Sequence, residues 1–172
     1  MSAEEEVQEH LHHAHEPFDK VVAATMAIIA ALLALVSVLG QHFVTEELLM
    51  QAKASDQWSY YQAKDIRRFT AEATRDILAE LKQRSGTGAS YEQQAAKYKS
   101  DAGEIQDKAR EFEKESERSG RKGSRFHFGE IFLEIAIVFS SLAILTKNKL
   151  LYLTGVASAC VGLIFSVTAY LL

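Results

Sequence analysis

Apolar residues are concentrated in three long runs, and a polar middle separates the first run from the other two. Residues 21–39 and 150–172 contain no charged side chain, and residues 126–146 contain only two carboxylates, Glu130 and Glu134. A helix needs about 20 residues to cross a hydrocarbon layer of about 30 Å, so each run is long enough. Three such runs leave too little polar surface for a water-soluble fold. They predict transmembrane helices at 17–40, 126–146 and 150–172, the last two joined by a short basic link at 147–149.

The first run has the wrong flanks for a cleaved signal peptide. The residues before it are acidic, with Lys20 as the one lysine, and no small-residue cleavage motif closes the run. Pro17, the only proline, suits the first turn of a helix. We therefore interpret the run as a retained anchor, preceded by an acidic, His-rich flexible tail at 1–16.

The polar middle, residues 41–125, predicts a helical hairpin outside the membrane. SGTGAS at 85–90 supplies the turn, with Ser90 and Gln93 forming a capping box for the second arm. The predicted fold class is an all-α membrane protein. Three transmembrane helices carry a long extramembrane antiparallel, coiled-coil-like hairpin between the first and second spans.

The two predicted arms differ in length. At 1.5 Å per residue the first arm, 41–84, is about 66 Å long, and the second arm, 90–119, is about 45 Å long. An extended segment of six residues covers about 20 Å. The difference predicts that GRKGSR at 120–125 is an extended loop.

Heptad-like stripes predict which faces of the arms pack together, because steps of four and three residues return to one side of a helix. The second arm shows the clearer stripe, although most of its side chains are small. Its members are Tyr91, Ala95, Tyr98, Ala102, Ile105, Ala109, Phe112, Ser116 and Ser119. In the first arm the predicted stripe is Ser59, Ala63, Ile66, Thr70, Ala73, Ile77 and Glu80, with Leu48, Ala52 and Ser55 leading into it.

An aromatic patch lies on one helix face in the first arm. Trp58, Tyr61, Gln62 and Asp65 stand at i, i+3, i+4 and i+7. The patch lies roughly 25 to 35 Å beyond the span, too far for a belt at the lipid headgroups. Packing within the hairpin is one interpretation, and an interaction patch for a ligand, a partner protein or another copy is the alternative. A seam of small residues favours a homo-oligomer, since a thin hairpin is marginal alone.

The stretch KASDQWSYYQAKDIR, residues 53–67, resembles the signature of a bacterial membrane family known as domain of unknown function 4337. The order of acidic tail, span, charged helical middle and two linked spans is similar as well. The His-rich tail departs from the acidic tail that the family implies. The resemblance implies a multi-pass protein of the bacterial inner membrane, and it implies no activity.

Two carboxylates near the start of the second span are candidate functional groups. Glu134 lies about two turns into the span, where a bare carboxylate is costly. Its expected partners are Gln41 and His42 at the end of the first span, and His127 is a local partner for Glu130. The pair is either a hydrogen-bonded contact between helices or a proton or cation site.

Other candidate sites are weaker. Four histidines in the tail suit a transition metal, but no second ligand cluster accompanies them, so no cofactor is predicted. Cys160 is the only cysteine, which excludes a disulfide within the chain. The histidines are His10, His12, His13 and His15. A basic cluster beside the second span suits anionic lipid headgroups, and its members are Arg118, Arg121, Lys122 and Arg125.

Composition narrows the function further. The formal net charge is −4 and the basic run is short, so nucleic acid is not an expected partner. Phosphate loops, nucleophile elbows and H-E-x-x-H motifs are absent, so no enzyme is predicted. The lysines of the short link favour a cytoplasmic N-terminus. Two functions remain: a homo-oligomeric scaffold acting through its hairpin, or a channel- or transporter-like component using Glu134.

Overall fold

The computed structural model describes residues 17–80 and 87–171, and within them the chain is all-α. Helix α1 comprises Pro17–Glu80, helix α2 comprises Thr87–Thr146, and helix α3 comprises Lys149–Thr168. A short 3₁₀ turn, Ala169–Leu171, follows α3. Each of the three α-helices includes a stretch long and apolar enough to cross a membrane. The all-helical class and the three apolar helices are confirmed, whereas the tail at 1–16 lies outside the described residues.

The chain divides into two compact units. One unit, here called the apolar unit, is formed from Met1–Thr45 and Arg118–Leu172; the other, the polar unit, is Glu46–Glu117. The three apolar stretches all belong to the apolar unit.

The core of the apolar unit is built where α1, α2 and the 3₁₀ turn meet. Phe126 is 1% exposed, and its ring stacks on the ring of Phe43 at 5.5 Å between centroids with an interplanar angle of 12°. Tyr170 meets the same ring edge-on at 5.7 Å. Further buried residues of this cluster are Ile29, Val36, Leu133, Ala136, Ala159 and Ala169.

Small residues let α3 lie close to α2. A methyl group added at Gly162 would lie 2.7 Å from the carbonyl oxygen of Gly129, so only glycine fits there. The Ser158 hydroxyl donates to the Phe132 carbonyl oxygen across the same contact at 2.7 Å. Small side chains allow close helix packing in lipid. The buried positions of α3 are all small residues: Gly155, Ala159, Gly162 and Ser166.

The link between α2 and α3 is only two residues long. Lys147 adopts a left-handed conformation with φ 55°, and the Asn148 side chain caps α3 by accepting a hydrogen bond from the Leu150 amide. The Lys147 ammonium also pairs with the buried Asp19 carboxylate near the start of α1. The link therefore ties the first turn of α1 to the turn between the other two helices.

The prediction of an extended loop at 120–125 is wrong, because these residues are helical and continue α2 without interruption. Gly123 is buried, and a methyl group at this position would lie 3.1 Å from Cγ2 of Val44. The glycine thus serves close packing of two helices rather than a break in the backbone.

The predicted capping box at Ser90 and Gln93 is also wrong. Helix α2 begins at Thr87, so Ser90 lies inside the helix. Because serine is also tolerated within a helix, the sequence pattern defines the start of α2 only to within about one turn.

The burial predicted for the stripe on α2 is confirmed, and all of its positions except Ser119 belong to the polar unit. Each of its nine positions is buried or half-buried, with Ala109 fully enclosed. Residues of α1 contact this side in reverse order: Lys53 lies over the Phe112 ring, and Lys64 pairs with Asp101. Higher residue numbers in α1 are therefore paired with lower residue numbers in α2.

The predicted stripe on α1 is wrong, since Ser59, Ala63, Ile66, Thr70, Ala73, Ile77 and Glu80 are all exposed. Helix α1 packs through a different face from the predicted one. On that face, long charged side chains bury their aliphatic stems while their charged ends pair with other groups. Lys64 and Arg68 are the clearest examples. The observed seam repeats in steps of three and four: Glu47, Met50, Ala54, Gln57, Tyr61, Lys64, Arg68, Ala71, Arg75 and Leu78.

Candidate interaction surfaces

Trp58 is positioned by contacts within the polar unit. Its indole Nε1 donates a hydrogen bond of 2.8 Å to the Glu113 carboxylate on α2. The ring meets Tyr61 edge-on, with 5.6 Å between centroids and 80° between planes. A partly buried tryptophan needs apolar contact for its rings and an acceptor for its N–H, and both come from this chain.

The other members of the predicted patch are not equivalent. Tyr61 and Asp65 are half-buried, and the Asp65 carboxylate pairs with Arg68 at 2.7 Å. Gln62 is exposed. The four residues therefore share a helix face, but only Trp58, Tyr61 and Asp65 turn toward α2 or its edge.

A groove of about 690 Å³ lies beside Trp58 in the polar unit. One wall includes the Glu113 carboxylate, which already accepts from the indole. The Ser116 hydroxyl donates to the Glu47 carbonyl oxygen across the groove at 3.1 Å. The lining is Glu47, Gln51, Ala54, Ser55, Trp58, Glu113, Ser116 and Glu117, so the groove is polar with an acidic bias.

Lys64 forms the central ionic contact of the polar unit. Its ammonium lies 2.7 Å from the Asp101 carboxylate and about midway between two rings, 5.5 Å from the Tyr60 centroid and 5.4 Å from that of Tyr98. The hydrogen bond to Asp101 raises the pKa of Lys64, and the same hydrogen bond lowers the pKa of Asp101. The faces of the Tyr60 and Tyr98 rings also attract the charged ammonium.

These shifts predict how the pair responds to pH. A carboxyl with a lowered pKa stabilises the fold above its usual value near pH 4 and loses that effect as acid protonates it. An ammonium with a raised pKa stabilises below about pH 10.5 and loses that effect in stronger base. We expect Lys64→Met to lower the thermal midpoint slightly at about pH 7, because the pair is screened by water.

Thermal melting followed by circular dichroism across pH checks this expectation. The difference between wild type and Lys64→Met should shrink in acid below the usual carboxyl value near pH 4, as the pH falls through the lowered pKa of Asp101 and the carboxyl becomes protonated. Asp76→Asn is the matched control, since among the described residues the Asp76 carboxylate pairs with its neighbour Arg75 on the same helix. A difference that is constant across the whole range would contradict the ionic contribution.

Part of α1 in the polar unit presents an apolar surface that its own chain leaves uncovered. Ile66 is 66% exposed and Ile77 is 60% exposed. Thr70 and Ala73 lie between them at heptad spacing and are exposed as well. These four residues are named the outer α1 face. The heptad spacing of this face was visible in the sequence. Its predicted packing against α2 of the same chain is wrong.

The two carboxylates of the predicted second span, Glu130 and Glu134, have different surroundings. Glu130 is half-buried, with Oε2 3.6 Å from Nδ1 of His127, as the sequence predicted. Glu134 is exposed, and so are Gln41 and His42. Across the described parts of the chain, no hydrogen bond or ion pair joins Glu134 to either of these expected partners.

The basic cluster is partly engaged by its own chain. The Arg125 guanidinium donates to the Thr168 carbonyl oxygen at 3.3 Å, where it complements the carboxyl end of α3. The Lys122 ammonium lies 5.2 Å from the centroid of the Phe43 ring. Arg118 and Arg121 also make contacts. The cluster thus supports helix packing, and its attraction to lipid headgroups stays a prediction.

Metal binding finds no support in the described part of the chain. Between residues 17 and 80 and from 87 to 171, no group of three or more His, Cys, Asp or Glu side chains is arranged to hold a metal ion. The predicted histidine ligands His10, His12, His13 and His15 lie outside the described residues.

Together these features define an all-helical protein with three helices able to span a membrane. The family model described as Domain of unknown function (DUF4337) matches residues 18–172. The chain belongs to this family, as the stretch at 53–67 predicted. No curated protein and no solved structure matches the chain significantly.

Proposed function

We propose that this protein is a homo-oligomeric scaffold of the bacterial inner membrane. Its three apolar helices span the bilayer as a multi-pass anchor, and its polar unit forms an antiparallel helical hairpin. The hairpin binds other copies of the chain or a partner protein. The lipid bilayer is its solvent, nucleic acid is not a partner, no enzymatic step is assigned, and the N-terminus is cytoplasmic.

The outer α1 face is the observation that supports this proposal. Ile66 and Ile77 are large and apolar, yet the chain does not cover them. Their spacing with Thr70 and Ala73 is that of a coiled-coil seam, the geometry in which one helix receives another. Copies held in one membrane meet at high effective concentration, so even a short seam contributes to association.

Charge introduced on the outer α1 face tests the proposal. The double variant Ile66→Glu, Ile77→Glu places like charges where copies meet, and it removes two apolar anchors. We expect its dissociation constant to rise about 10- to 100-fold, since each factor of ten needs about 1.4 kcal/mol. The mass of the full-length protein at a series of concentrations in detergent, with fluorescence transfer in vesicles, measures this change.

Phe69→Glu provides the matched control. Phe69 is also exposed, but at heptad spacing it lies about 75° around the helix from the centre of the outer α1 face, whereas Leu49 would fall in line with Thr70 and Ile77. The Phe69→Glu variant should associate like wild type. A wild-type chain that stays monomeric in both detergent and vesicles would refute the scaffold, and equal effects of the two substitutions would remove the role of this face.

The second candidate function is a channel- or transporter-like component. It is favoured by one observation, the Glu134 carboxylate without a partner in the described part of its chain. Because Glu134 faces outward, a polar path lined by it would need several copies around it. Glu134→Gln would abolish a proton- or cation-dependent flux in vesicles, whereas a scaffold would keep its assembly.

A further inference from the structure

Glu134 occupies an unusual place for an ionisable side chain. It lies eight residues inside the predicted span that begins at residue 126, which corresponds to a depth of about 12 Å along the helix. The side chain is exposed rather than turned into the core of the apolar unit. A carboxylate that faces lipid at this depth is energetically costly, because lipid cannot solvate its charge. The structure therefore presents a polar group whose partner must come from elsewhere.

The surroundings of Glu134 have the pattern of a helix-packing surface. On the same side of α2, Ile131 is 36% exposed and Val138 is 57% exposed. Ser141 follows at the next heptad position and is half-buried. These four residues, with Glu134 among them, are named the outer α2 face. One polar group within an apolar seam is the arrangement that fixes register between helices in lipid.

A second copy of the chain can supply the partner that Glu134 lacks in the described part of the first copy. Copies inserted in the same direction carry Glu134 at the same depth, so two outer α2 faces that pack in parallel bring the two carboxyls together. Two carboxyls make a stable pair when they share a proton, because the protonated group donates its O–H to the other. No hetero-partner is needed for this contact.

We propose that the outer α2 faces of two copies pack in the membrane and that their Glu134 side chains form a shared hydrogen bond. This contact rests on the proposed homo-oligomer and adds to it a specific membrane interface. It is independent of the outer α1 face, which belongs to the other unit.

Substitution at Glu134 separates hydrogen bonding from packing. Glu134→Gln keeps a side chain that both donates and accepts, so association should stay close to wild type. Glu134→Leu keeps the bulk and removes the hydrogen bond, so the dissociation constant should rise about 3- to 20-fold, the range of interhelical hydrogen bonds in lipid. Glu130→Gln is the comparison variant one turn away and should have the smaller effect, because Glu130 is half-buried and lies 3.6 Å from His127 of its own chain.

Fluorescence transfer in vesicles at increasing lipid dilution measures the association. Full-length protein carries one dye at Ser100→Cys in a Cys160→Ser background, and circular dichroism confirms equal helix content for every variant. A loss in Glu134→Leu that Glu134→Gln does not share supports the shared hydrogen bond. Equal association of Glu134→Leu and wild type would overturn it, showing that the carboxylate turns toward the membrane surface instead.

The remaining outcomes are also decisive. A similar loss in Glu130→Gln would overturn the assignment to the outer α2 face. A similar loss in both Glu134 variants would exclude the neutral hydrogen bond. If wild type shows no transfer at any lipid ratio, the homo-oligomer itself fails; if wild type associates and Glu134→Leu is unchanged, only the membrane contact fails.

Discussion

Gly162→Ala destabilises the protein by about 1 to 3 kcal/mol, the usual cost of overpacking a tight contact. The new methyl group would lie 2.7 Å from the Gly129 carbonyl oxygen and 3.1 Å from Cβ of Phe132. Backbone atoms cannot move aside as a flexible side-chain end does, so α3 must shift away from α2. Unfolding by sodium dodecyl sulfate, followed by circular dichroism, measures the loss.

The same substitution at Gly103 has the opposite expected sign. A methyl group there meets no atom within 4 Å, and alanine favours a helix over glycine by up to about 1 kcal/mol. Gly103→Ala should therefore leave the protein as stable as wild type or make it more stable. If both variants lose stability equally, the cost does not come from the contact between α3 and α2.

Phe126→Ala costs about 3 to 5 kcal/mol, the range for removing a buried phenylalanine. The ring stacks on Phe43 and receives the edge of Tyr170, so its loss opens a cavity between α1 and the 3₁₀ turn. Gly40 also packs against this side chain, since a methyl group added at Gly40 would lie 3.2 Å from Cβ of Phe126. The same detergent unfolding experiment measures the change.

Phe128→Ala is the comparison variant for this core residue. Phe128 lies two positions along the same helix, is 53% exposed, and has one ring contact, to Phe165. A single aromatic pair contributes about 0.5 to 1.5 kcal/mol, so the loss should be clearly smaller. Equal losses from the two variants would mean that Phe126 is not the centre of the core.

The features that the sequence predicts well are those carried by composition. The apolar runs identify the three helices able to span a membrane, because runs of about 20 mostly apolar residues are rare in water-soluble helices. The two-residue break before Lys149 matches the predicted basic link closely. The α2 stripe was also predictable, since Ala102, Ile105 and Ala109 stand out against charged neighbours.

The features that could not be predicted depend on distant partners. The α1 seam uses Lys64, whose burial makes sense only once Asp101, 37 residues away, supplies the opposite charge. A search for apolar spacing instead finds Ile66 and Ile77, which the chain leaves exposed. Gly123 was mistaken for a loop residue because nothing in its neighbourhood reveals that Val44 packs against it.

The contacts around Trp58 and Glu134 also include some that the sequence predicts and some that it does not. Helical spacing alone places Trp58 and Tyr61 together, and their ring contact follows from it. The acceptor for the indole, Glu113, is 55 residues distant and is one of many glutamates in α2, so the sequence could not select it. The partners expected for Glu134 were chosen by depth in the membrane, but depth does not determine which way a side chain faces.

The two-residue link bears on how the protein is made. Lys147 and Asn148 allow the last Cα of α2 and the first Cα of α3 to be at most about 11 Å apart. Under the proposed membrane insertion, α3 therefore enters the bilayer next to α2 rather than at a distance from it. The short link thus favours insertion of the two segments as one helical pair.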